Sequence, residues 1–88
     1  MKFEFKKDNN NYYVLRLVKR TTAGISVLRM FENYELKRFG ISENVINLIL
    51  ETCKNNLSPC YPYYYHTKKV NNKLLEELNS LIVLNELE

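Results

Sequence analysis

Apolar and charged residues alternate at the start of the chain, where Phe3 and Phe5 are interleaved with Lys2, Glu4 and Lys6. A period of two sends successive side chains to opposite faces, so this is the pattern of a half-buried strand. Asp8-Asn9-Asn10-Asn11 follows, and because Asx residues tolerate turn and left-handed conformations, a turn is predicted there. Alternation resumes from Tyr12 to Arg20, with Tyr13, Leu15 and Leu17 on one face and Val14, Arg16, Val18 and Arg20 on the other. Thr21-Thr22-Ala23-Gly24 reads as the next turn, and β-branched Ile25 and Val27 point to a third strand from Ile25 to Phe31. The first third of the chain therefore predicts a three-stranded antiparallel meander.

The period then changes. Asn33 is placed to cap a short helix in which Leu36 and Phe39 fall three apart, and Gly40 is suited to end it. Ser42 is a good N-cap for a longer helix from Glu43 to about Lys54. Its apolar stripe is Val45, Leu48, Ile49 and Cys53, widened by Ile46 and Leu50, and its predicted role is to cover the inner face of the sheet. Leu57 to Pro62 reads as a loop, since Pro59 and Pro62 lack amide donors and restrict their neighbours. Tyr63 to Val70 reads as an extended segment or edge strand. Asn71 or Asn72 caps a last helix built on Leu74, Leu75, Leu78, Leu81 and Ile82, although Leu81-Ile82-Val83-Leu84 fits a strand as well as a helix by periodicity alone. The expected fold is α+β: an N-terminal three-stranded antiparallel meander packed against a helical hairpin and a C-terminal helix.

Composition narrows the class. With 88 residues, 45% hydrophobic and 26% charged, residues 1–88 fit a single globular domain. No apolar run approaches the roughly 20 residues that span a bilayer, and the first residues lack the apolar core of a signal peptide. A cytoplasmic location without membrane contact is the resulting expectation. Cys53 and Cys60 are too few for a disulfide framework, so reduced thiols are expected. Twelve Asn, nine Lys and a single Ala are the usage of A/T-rich coding sequence, which suits a low-GC bacterium or its phages. The net charge of +3 is uneven: residues 1–31 carry seven basic and two acidic side chains, whereas residues 70–88 carry Lys73 against Glu76, Glu77, Glu86 and Glu88. Such polarity steers a partner towards one face.

Chemistry-bearing constellations are sparse. The chain has one His and one Asp, and Gly24 and Gly40 stand alone, so no phosphate-cradling glycine loop exists. Cys53, Cys60 and His66 are three soft ligands at spacings outside the usual zinc patterns, and the same residues form a Cys–His pair with no orienting acid nearby in sequence. No catalytic residue, metal site or cofactor is expected, and the chain reads as a non-enzyme.

Two surfaces are candidates for binding. The first is the basic sheet face, Arg16, Arg20 and Arg29, with Val14 before the first arginine and Val18 between Arg16 and Arg20; it suits phosphates or an acidic protein patch, while lysines on exposed strands also guard edges. The second is Tyr61, Tyr63, Tyr64 and Tyr65 followed by Lys68 and Lys69. Tyrosine offers large, rigid contact area at low entropic cost and stacks on unpaired bases; alternation would bury some rings and expose others.

Phe39-Gly40-Ile41-Ser42 resembles the turn of a helix-turn-helix, with Phe39, Ile41, Ile46 and Ile49 at the positions that such motifs bury. The resemblance covers residues 33–54 and implies DNA binding. Two features depart from it: Leu36 stands where the motif prefers a small residue, and the second helix presents Glu43, Asn44, Asn47, Glu51 and Lys54, an acidic balance that opposes a polyanion.

Together these features predict a small binding protein. The leading expectation is a phage or mobile-element inhibitor or adaptor that binds a host protein or nucleoprotein complex, with anti-CRISPR proteins as the example. The alternative is a nucleic-acid binder using the 33–54 hairpin or the basic sheet with the tyrosine loop. A homo-oligomer pairing its Arg16/Val18 face is the third.

Overall fold

A computed structural model describes residues 1–28, 33–60 and 64–85. Its elements run β1 (Lys2–Lys7), β2 (Tyr13–Thr21), β3 (Gly24–Leu28), α1 (Asn33–Arg38), α2 (Glu43–Asn56), β4 (Ser58–Cys60), β5 (Tyr64–Thr67) and α3 (Asn72–Leu84). The α+β architecture and the N-terminal meander match the pattern of the sequence. Residues 29–31 of the predicted third strand lie outside the described residues.

All strand pairs are antiparallel, and β2 is the hub of the sheet. β1 lies along one side of it, pairing Phe3 with Leu17 and Phe5 with Leu15. Its other side is shared: β3 pairs with Leu17 to Thr21, and β5 pairs with Tyr13 and Val14. β4 then pairs with β5, giving five strands.

Two elements correct the sequence reading. Ser58–Cys60 is a strand and not part of a loop; proline is tolerated on an outer strand, where one side needs no ladder donors, and among the described strands β4 pairs with β5 alone. β5 is not an edge, because β2 and β4 flank it. The ambiguous Leu81–Leu84 run is the last turn of α3.

The connections carry their local chemistry. Asp8 Oδ1 accepts the N–H groups of Asn10 (2.8 Å) and Tyr12 (2.9 Å), and Asn11 takes a φ of 65°, as an Asx turn between β1 and β2 requires. α1 closes in a Schellman motif: Gly40 N–H donates to Lys37 O (3.0 Å) and Ile41 N–H to Leu36 O (3.3 Å), with Gly40 at φ 82°. The apolar partners of that motif, Leu36 and Ile41, both enter the core. Ser42 stands at the N-cap of α2 without a side-chain cap bond, whereas Asn71 Oδ1 accepts the Leu74 N–H (3.1 Å) and caps α3.

The core lies between the sheet and the helices. Phe3, Leu15, Leu17 and Tyr65 meet Leu36, Ile41, Val45, Ile46, Ile49, Cys53, Leu74, Leu78 and Ile82. On α2 the buried stripe is Val45, Ile46, Ile49 and Cys53. Leu48, placed on that stripe by its spacing, stays 48% exposed, since it lies to one side of the arc that faces the sheet. Burying each large apolar side chain contributes about 1.5–3 kcal/mol, and no buried polar or charged residue offsets it among the described residues.

Candidate binding face on the open side of the sheet

The buried sheet residues, Phe3, Leu15 and Leu17, share one face, and that is the face the helices cover. The register sorts the opposite face into rows. Glu4 lies across from Arg16, and Lys2 from Val18, which in turn faces Val27. Arg20 lies across from Ile25, and Lys6 from Val14, His66 and then Ser58. Directly opposite side chains lie about 5 Å apart, close enough to interact.

Arg16 and Glu4 use that proximity. The guanidinium Nε and a terminal nitrogen both contact Glu4 Oε1. This pair occupies the arginine and returns a carboxylate to an otherwise basic face. Arg20 differs: it is exposed, and no ion pair holds it among the described residues. Beside it Ile25 is 63% exposed. Met1, Lys2, Glu4, Arg16, Val18, Arg20 and Ile25 together line a shallow hollow of about 550 Å³. Lys19 points elsewhere, its Nζ 5.3 Å from the centre of the Phe39 ring.

A second cluster lies at the other end of the same face. The rings of Tyr12 and His66 stack, with centroids 4.7 Å apart at 24°, and Lys68 Nζ stands 5.9 Å from the Tyr12 ring. The sequence carries little sign of this group, because Tyr12 and His66 are 54 positions apart in numbering and meet only through the β2–β5 register.

The tyrosine segment divides. Tyr65 is 8% exposed and belongs to the core, which removes its ring from the candidate surface; its position on β5 two residues from Thr67, which pairs with Tyr13, sends it to the helix-covered side. Burial, followed by the nearby Cys53, raises the Tyr65 phenol above its ordinary pKa. Lys68 and Lys69 are exposed beyond β5. Tyr64 is placed by its backbone opposite Cys60. Arg29, Tyr61 and Tyr63 lie outside the described residues.

No family model, curated protein or solved structure matches the chain.

Cys53 is fully buried, and desolvation pushes its thiol up to about 12, so the thiolate that would attack or bind a metal is scarce at neutral pH. It lies in the core, and His66 stands in the open-face row with Val14; the sheet separates them. Among the described residues no three His, Cys, Asp or Glu side chains come together. The helix-turn-helix lookalike is a tight hairpin whose Leu36 is fully buried, and α2 exposes Glu43, Asn44, Asn47, Leu48, Glu51 and Lys54.

Proposed function

We propose that the chain is a small non-enzymatic binding protein, an inhibitor or adaptor, that docks the open face of its sheet on an acidic, partly apolar patch of a partner protein. One observation carries the reading: Arg20 is exposed beside exposed Ile25 and no ion pair holds it among the described residues, while Arg16 is already held by Glu4. An apolar centre flanked by a free cation is the anatomy of a protein interface, where apolar contact supplies affinity and charge supplies orientation and on-rate. Nucleic acid suits this face less well. The Glu4 carboxylate opposes phosphates, and the Tyr12 ring is already engaged by His66 and Lys68. The A/T-rich residue usage and small size suit an accessory protein of a phage or mobile element.

The test compares immobilised wild type with Arg20→Glu and Val18→Asp in extracts of a low-GC bacterium, with and without nuclease treatment. A partner held in fixed stoichiometry by wild type, resistant to nuclease and lost by both variants supports the reading. Retention that disappears with nuclease, or that ignores both substitutions, overturns it.

A further inference from the structure

The outer strands of the sheet are not equally protected. β1 carries four charged residues in six, Lys2-Phe3-Glu4-Phe5-Lys6-Lys7, and at Phe3 both backbone polar groups are taken by the Asn79 side chain. β4 is three residues long and contains Pro59. These are standard devices against unwanted strand pairing. β3 has none of them. Gly24-Ile25-Ser26-Val27-Leu28 holds no charge and no proline, pairs with β2 and with no other strand among the described residues, and exposes Ile25.

We propose that β3 is an association edge at which two copies of this chain join antiparallel and merge their sheets. The strand complements itself. Alignment about Ser26 sets Ile25 opposite the partner's Val27, and the same pair recurs across the two-fold axis. Apolar β-branched residues in cross-strand positions stabilise a ladder, and no charge faces a charge. An isologous two-fold contact of this kind closes on itself and stops at a dimer.

The positive charge of the chain does not oppose this arrangement. Arg20 lies on β2, one strand in from the edge and opposite Ile25. In the joined sheet the two copies of Arg20 are separated by three strand spacings, about 14 Å, which exceeds the screening length of about 8 Å in physiological salt. A two-fold axis normal to the sheet keeps both open faces on one side, so two patches around Arg20, Ile25 and Val18 become neighbours. That arrangement would present the proposed docking face twice, although the association itself does not depend on any docking role.

Sedimentation and amide exchange at rising protein concentration test the proposal. The expected mass moves from 10.5 kDa towards twice that value as concentration rises to about 1 mM, and amides of residues 24–28 gain protection over the same range. Ile25→Lys and Val27→Lys should weaken association at least about tenfold with the far-ultraviolet circular dichroism of wild type. Val83→Lys, on the exposed apolar side of α3, should leave it intact. A wild type that stays monomeric throughout overturns the proposal, as does a dimer that survives Ile25→Lys and is lost in Val83→Lys.

Discussion

The side-chain amide of Asn79 on α3 pairs with both backbone polar groups of Phe3 on β1. Its Oδ1 accepts the Phe3 N–H at 2.8 Å, and its Nδ2 donates to the Phe3 carbonyl at 3.3 Å. One side chain thus mimics the next strand, closes part of the β1 edge and fastens the C-terminal helix to the start of the chain. Asn79→Leu keeps the approximate volume and leaves two backbone groups without these partners. It should cost about 1–3 kcal/mol, read as a lowered denaturant midpoint. Asn79→Asp keeps the acceptor, loses the donor and places a carboxylate against the Phe3 carbonyl, so it should also destabilise.

The two helix caps make a paired prediction. Ser42 forms no side-chain cap bond, whereas Asn71 does. Asn71→Ala should therefore cost about 1 kcal/mol and Ser42→Ala clearly less. Equal losses in thermal unfolding would contradict the difference in geometry.

A methyl group added at Gly40 would meet open space, but the backbone there holds a φ of 82°. The cost of Gly40→Ala is therefore conformational and not steric, about 1–2 kcal/mol. Gly40→Asn should lose less, because asparagine tolerates the left-handed region. Chemical denaturation of the two variants separates them.

Cys53 predicts a particular alkaline slope. Its thiol is raised from 9.0 to about 12 in the folded protein, so the unfolded chain releases this proton first. The stability associated with the protonated thiol is complete below pH 9 and is lost as pH rises towards 12. Tyr65 shifts in the same direction and adds to the loss. Stability of Cys53→Val should fall less steeply over that window than that of wild type, while a thiol reagent should leave Cys53 of the native protein unlabelled at neutral pH.

The Arg16–Glu4 pair should show a coupling of about 0.2–1 kcal/mol in a double-mutant cycle, weakened by salt. Arg20→Ala, at an exposed position, should change stability by less than about 0.5 kcal/mol. A large loss there would mean that Arg20 holds the fold and is not a free surface cation.

Much of the architecture was readable in the chain. Period-two alternation at Phe3, Phe5, Leu15 and Leu17 identified two strands and their buried face, and Gly40 and Asn71 marked helix ends through backbone and capping preferences that act within a few residues. The candidate face was readable in part: alternation put Arg16 and Arg20 on one side with Val14 and Val18. That Glu4 neutralises Arg16, while no described ion pair holds Arg20, depends on which residue stands across the ladder.

Local sequence determined the strands of the meander, the helices and the apolar side of each, because burial periodicity and caps are written in neighbouring residues. Tertiary structure decided the rest: that Ser58–Cys60 joins the sheet, that Tyr65 faces the core, that Leu81–Leu84 completes a helix, and that Tyr12 meets His66. The strand, tyrosine and histidine placements depend on register between segments far apart in the chain, where a shift of one residue would send every side chain of a strand to the opposite face, and the helical end of α3 goes with Ile82 packing into the core.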